Sequence, residues 1–253
     1  MSGHSKWQNV KYRKEKQDKK RSNLFAKLIK EIVLQARNGD PDPTNNAGLA
    51  QVLERARAAN LPKDTIERAI KRASGELGGA AFEEITYEGY APEGIAVLVR
   101  VVTDNRNRAA AAIRHTFSKR GGNLASAGSV AWLFERRGIV TIEEIPEEVN
   151  RDEFLMSLIE LGAQDIDDQG ETIEAYCAPE DLPSLAEGIR RSGVTPTRAQ
   201  ITMVPKNTVK VDGAAAERVL KLMNELDDNE DVQEVFANFD VPDEILAQVI
   251  SEG

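Results

Sequence analysis

The spacing of apolar residues changes at Gly78-Gly79, and that change confines the chain to α+β folds of more than one domain. Before it, Leu24, Phe25, Leu28, Ile29, Ile32, Val33 and Ala36 recur at three- and four-residue intervals, the period of an amphipathic helix. Ser22 is its expected N-cap, and Gly39 with Asp40-Pro41-Asp42-Pro43 ends it, since a residue before proline leaves the helical region. A second helix is expected over 47–59, with Leu49, Val52, Leu53 and Ala56 on one stripe. Pro62 opens a third, with Ile66, Ala69 and Ile70 inward. Three short helices make a small bundle.

After Gly79 the pattern becomes extended. Ile85-Thr86-Tyr87 and the run Ile95 to Val102 read as paired strands around Ala91-Pro92-Glu93-Gly94, followed by a helix over 105–119 and a strand over 129–134. From 138 onward the expected order is strand, helix (151–161), two strands (164–167, 172–177), helix (180–191) and strand (198–204). That is the βαββαβ order of a ferredoxin-like unit. A helix over 213–226 and a strand over 231–236 close the chain, and these complete the ββαβ piece that precedes 138. The expected fold is therefore α+β and multidomain: an N-terminal three-helix domain, then two ferredoxin-like α+β domains, one inserted in the other. The expected boundaries are 1–21 for a basic arm, 22–78 for the helical domain, 80–135 plus 206–253 for one α+β domain, and 138–205 for the inserted one.

Two or three domains suit 253 residues. No apolar run approaches the roughly 20 residues that span a bilayer, and Met1 to Trp7 has no apolar signal core. Cys177 is the one cysteine and His4 and His115 the only histidines, which argues for a reducing cytoplasm and against a metal site.

The net charge of −9 hides a division. Residues 1–72 carry 17 Lys+Arg and 8 Asp+Glu, a balance of +9; residues 73–253 carry 16 and 34, a balance of −18. Opposite signs at the two ends point to a polyanion met by the N-terminal part. Within the arm, Lys6, Lys11, Arg13, Lys14, Lys16, Lys19, Lys20 and Arg21 are the candidate phosphate ligands. Trp7 and Tyr12 are its only large apolar side chains: either could stack on a base, and Trp7 could equally dock on the body. Lys27 and Lys30 extend the basic character into the first helix. Helices two and three, joined through Asn60-Leu61-Pro62, could mimic a helix-turn-helix with Lys63, Arg68, Lys71 and Arg72 outward.

Catalytic arrangements are missing from the sequence. There is no GxxxxGK[ST] loop, no GxGxxG after a strand and no nucleophile elbow, so no cofactor, small-molecule substrate or enzymatic reaction is expected. In the acidic body, Arg106 and Arg108 stand out because they put positive charge in the first turn of a helix, where the macrodipole disfavours it. They could receive a phosphate or carboxylate, or pair with acids such as Glu83, Glu84 or Glu88.

Several motifs in fixed order carry a family resemblance across essentially the whole chain. Gly3 to Trp7 (GHSKW), Lys11 to Arg21, Tyr87 to Gly94 (YEGYAPEG), Thr103 to Leu124, the GSVAWLF run ending at Phe134, and the tail around Asp231 to Phe239 resemble the YebC family. That resemblance implies three domains, no established enzymatic activity, and a role as a probable DNA-binding transcriptional regulator in bacteria. Its mitochondrial branch, translational activators of cytochrome c oxidase synthesis, implies a second possibility, an RNA- or ribosome-associated translation factor. A flexible lysine-rich arm suits irregular RNA such as ribosomal RNA, and an acidic body could face basic ribosomal proteins. A protein-interaction scaffold is the third possibility.

Overall fold

The computed structural model describes Trp7, residues 18–74, residues 81–242 and Ile245. The chain divides into two compact units, one running from Leu133 to Lys206 and a larger one made of the chain on either side.

The larger unit begins with three helices, α1 (Asp18–Asn38), α2 (Ala47–Ala58) and α3 (Lys63–Ala73). The first starts earlier than expected, so Ser22 lies inside it rather than capping it. Lys19, Lys20 and Arg21 are good helix formers with no breaker among them, and the end of the basic run therefore continues the helix. Asn46 caps α2, its Oδ1 accepting from the Leu49 amide at 2.9 Å. Asn60 takes φ 58°, a left-handed conformation that asparagine tolerates, and this reverses the chain into Pro62. Leu28, Ile32, Leu49, Val52, Leu53 and Ala69 form the buried centre of this layer.

Strands β1 (Glu83–Tyr90) and β2 (Ala96–Thr103) form an antiparallel hairpin in register from Glu83 opposite Thr103 to Tyr90 opposite Ala96. Next come α4 (Arg106–Lys119), capped by Asn105, and the two-residue strand β3 (Asn123–Leu124). The expected strand over 129–134 does not form. Instead the amides of Gly128, Val130 and Ala131 donate to the Glu88 carboxylate at 2.6, 2.7 and 2.8 Å, so they are unavailable to a ladder. The segment is a loop that ends in a 3₁₀ turn at Ala131–Leu133.

The second unit contains β4 (Phe134–Ile142), α5 (Arg151–Glu160), β5 (Asp165–Asp168), β6 (Ile173–Cys177), α6 (Leu182–Arg191) and β7 (Arg198–Pro205). Its antiparallel sheet has the order β5-β6-β4-β7, the split order of a ferredoxin-like unit. Val140, Ile142, Ile173 and Ala175 on one sheet face bury against Phe154 and Leu158 of α5 and Leu185 and Ile189 of α6.

The chain then returns to the larger unit through β8 (Val209–Lys210), α7 (Gly213–Asp227), β9 (Val232–Ala237) and β10 (Phe239–Asp240). Strand β9 pairs with β2 and completes a four-stranded sheet of order β3-β1-β2-β9; β8 and β10 form a small parallel pair. The protein is thus an α+β chain of a helical domain and two sheet domains. In the larger unit α4 and α7 cover one sheet face, over Val97, Val99, Val101 and Val235, while Val102 and Phe82 belong to the helical core. Cover on both faces is why β2 reads as a mostly apolar run, broken only by Arg100 before Thr103, rather than an alternating one.

Candidate nucleic-acid interface

The structure assigns several of the expected phosphate ligands to other work. Lys27 Nζ donates to the Asp227 carbonyl at 2.7 Å and to its carboxylate at 3.2 Å. Lys30 Nζ donates to the Glu230 carbonyl at 2.8 Å and to Asp231 Oδ1 at 2.7 Å, and Asn23 Nδ2 reaches the Asp228 carbonyl at 3.0 Å. The last carbonyls of a helix have no partner within it and carry partial negative charge, so α1 serves as the C-terminal cap of α7. Lys27 and Lys30 are nearly buried in these contacts, with their ammonium groups held by Asp227 and Asp231.

A second cluster ties α1 to the sheet. Arg100 is enclosed by Glu234 (2.7 Å), Glu31 (3.4 Å) and Glu84 (3.5 Å), and Glu31 also receives Arg55. Burial works against the charge on Arg100, but the three carboxylates outweigh it and hold the guanidinium more firmly protonated than usual.

Trp7 is likewise a structural residue. It is 2 % exposed within the core formed by the sheet, α4 and α7, and its Nε1 donates to Asn224 Oδ1 at 2.9 Å. Of the two roles open to it, docking is the one the geometry carries; a buried indole offers no face to a base. Lys6, Lys11, Tyr12, Arg13, Lys14 and Lys16 lie outside the described residues, and Lys19 and Lys20 are placed by their backbones in the first turn of α1. Arg21 is exposed, with its guanidinium 5.4 Å from the Phe25 ring centre.

The pair at the start of α4 separates into two roles. Arg108 Nη2 donates to Asp104 at 3.0 Å and to Asp231 Oδ2 at 3.1 Å, so it is an internal ion-pair partner, though not of Glu83, Glu84 or Glu88. Burial pushes the Asp231 carboxyl up, but hydrogen bonds from Lys30 and Arg108 outweigh that and hold it below the ordinary range. Arg106 is exposed, and its carbonyl accepts from the Tyr87 hydroxyl at 3.3 Å. Burial pushes the Tyr87 phenol up, partly offset by the positive charges of Arg106 and Arg114.

Two features were missed in the sequence. Arg114 and His115 of α4 are exposed, as Arg106 is, and Trp132 stands 65 % exposed at the end of the loop that Glu88 holds. The available signal was the absence of acids: no Asp or Glu occurs from Asn105 to Trp132, in a body otherwise rich in them. On α3, Lys63, Arg68 and Lys71 are exposed as expected, Lys63 and Arg68 in loose pairs with Glu67 (3.9 Å) and Asp64 (3.5 Å). Arg72 instead turns over the Phe82 ring at 4.7 Å and is a packing residue.

Residues 5–76 match the model of the TACO1/YebC protein N-terminal domain, and residues 82–239 that of the TACO1/YebC second and third domain. Proteins named "Probable transcriptional regulatory protein" share this sequence end to end. The one from Thermosipho melanesiensis is 51% identical over 100% of this chain and 99% of its own. That from Dictyoglomus turgidum is 50% identical over 97% and 98%, and that from Acidithiobacillus ferrooxidans 46% over 98% and 98%. The crystal structure of a conserved hypothetical protein from Aquifex aeolicus superposes with a TM-score of 0.80 at 46% identity, covering 90% of this chain and 94% of that one. From its N-terminal helices to its last strands, this chain belongs to the TACO1/YebC family.

Proposed function

We propose that this protein is a nucleic-acid-binding regulator of gene expression, not an enzyme, and that it acts in the cytoplasm on DNA through its basic N-terminal part. The observation that carries this reading is the division of charge, +9 over residues 1–72 against −18 over the remainder. A polyanion is attracted to one end and repelled by the other, which orients the protein on its target. The name shared by its relatives supports the regulatory role. No described helix is long and apolar enough to cross a membrane.

The docked Trp7 constrains the test. Deleting the arm would remove a core residue along with the charges, so the charges must be changed and Trp7 kept. With Lys11, Arg13, Lys14 and Lys16 replaced by Gln, affinity is measured against salt on a promoter duplex, its scrambled copy and a structured ribosomal RNA fragment. If five or six arm cations meet phosphates, the parent's slope of log affinity against log salt is about −5 on duplex. Removing four contacts flattens it by roughly 3.6. A slope unchanged in the variant refutes binding through the arm, and no binding by the parent to any ligand refutes the function.

A further inference from the structure

We propose that the outward stripe of α4 reads base edges in the major groove of duplex DNA, with Asn107 and Arg114 as the residues that set sequence preference. The inference rests on the nucleic-acid reading above and deepens it: phosphate contacts by the arm hold any sequence, and this helix discriminates among sequences.

Helical spacing divides α4 into two stripes. Ala109, Ile113, Thr116 and Phe117 are its buried residues. Asn107, Ala110, Ala111 and Arg114 stand at i, i+3, i+4 and i+7 and share a second face; Ala110 is half-buried and the other three are exposed. The helix contains no Asp or Glu. Two of its cations are neutralised internally, Arg108 by Asp104 and Asp231 and Lys119 by Glu225. Among the described residues, the side chains of Arg106, Asn107 and Arg114 make no hydrogen bond or ion pair. At Arg106 that freedom works against the fold, because a cation in the first turn of a helix opposes the macrodipole. Arg108 meets the same penalty and has two carboxylates to offset it. Arg106 has none, so whatever compensates it lies outside the chain.

The residue types on this stripe match base edges. Asparagine pairs in bidentate fashion with adenine N6 and N7, arginine with guanine O6 and N7, and a small apolar side chain accommodates the thymine methyl. Asn107 and Arg114 are seven positions apart, about 10 Å along the helix axis, which is roughly three base-pair steps. The alanines between them let the helix come close to the groove floor. Arg106 and His115 are exposed and flank the stripe on opposite sides, where the two phosphate strands border the groove. The helix itself is firmly placed. Asn105 Oδ1 caps it by accepting from the Arg108 amide at 3.0 Å, and the Tyr87 hydroxyl donates to the Arg106 carbonyl at 3.3 Å. It packs on β1 and the edge strand β3, with α7 toward the far side of the sheet, and so lies at the margin of its domain. Helix α3 suits the groove less well, because Asp64 and Glu67 stand among its exposed cations and would face the base acceptors and phosphates.

The test uses the full chain and a duplex pool of about 20 randomised base pairs, selected by binding and then sequenced. The parent should enrich a motif with a fixed adenine and a fixed guanine within a few base pairs of each other. Asn107→Ala should erase the preference at the adenine and Arg114→Gln that at the guanine, each weakening the selected duplex by about 5- to 150-fold. Arg106→Gln should instead lower affinity for the selected duplex and its scrambled copy alike, flattening the salt slope by about 0.9. All three variants should unfold as the parent does, since these side chains have no polar partner among the described residues. A parent that binds the pool but enriches no motif overturns the inference and leaves the arm-dependent binding standing. A motif kept unchanged by both Asn107→Ala and Arg114→Gln overturns it as well. If the parent does not bind the pool at all, both readings fall together.

Discussion

Replacing Trp7 by Ala separates docking from recognition, because the two roles move different observables. A fully buried tryptophan removes about 150–250 Å² from water, which at roughly 25 cal/mol per Å² stabilises the docked state by about 4–6 kcal/mol. The hydrogen bond to Asn224 adds about 1 kcal/mol, and its loss strands a part-buried acceptor. Against this stands the entropy of closing a loop of about ten residues, of order 2 kcal/mol. The expected net loss is about 3–5 kcal/mol, within the usual range for a large aromatic removed from a core. The assay is urea unfolding followed by circular dichroism. The transition of the larger unit should move and that of residues 133–206 should not, since Trp7 belongs to the core of the former. Affinity for nucleic acid, measured well below the unfolding transition, should stay within about threefold because every arm cation is retained. Unchanged stability with affinity lowered tenfold or more would refute the docking role and return Trp7 to base stacking.

Two further outcomes follow from the buried carboxylates. Hydrogen bonds from Gly128, Val130 and Ala131 outweigh the burial of Glu88 and hold its carboxyl below the ordinary carboxylate range, so its contribution is present above the unfolded value and lost as pH falls through the folded value. Glu88→Gln should therefore cost about 1–3 kcal/mol at pH 7, and its stability should converge on that of the parent as the pH is lowered through the range where the folded carboxyl protonates; a gap independent of pH would contradict the assignment. Asp231→Asn strands the nearly buried Lys30 and should cost about 3 kcal/mol. Adding Lys30→Met should recover part of that loss in the same unfolding assay, and no recovery would mean that the ion pair is not what joins α1 to α7.

The sequence alone determined what depends on local periodicity and on composition. The 3.6-residue stripes of α1 to α3, the βαββαβ order expected over residues 138–205 and the segregation of charge are each properties of short windows or simple counts, and they survive into the structure. The motifs that resemble the YebC family are equally local, and the match to the TACO1/YebC models bears them out. Tertiary structure decided the partner of each polar group. Lys27, Lys30 and Arg108 look like phosphate ligands in the sequence, and only folding brings them to Asp227 and Asp231, roughly 120 to 200 positions away. The run Ser129 to Phe134 has strand composition, yet Glu88 captures its amides from 40 residues upstream. Trp7 sits in a segment too polar to form a core of its own, and it is buried because α4, α7 and the sheet supply one. Periodicity is set by the backbone geometry of a single element and can be read along the chain. A charge or an indole has no fixed role until its distant neighbours arrive, because whether it meets water, a carboxylate or a core depends on which of these the fold places beside it.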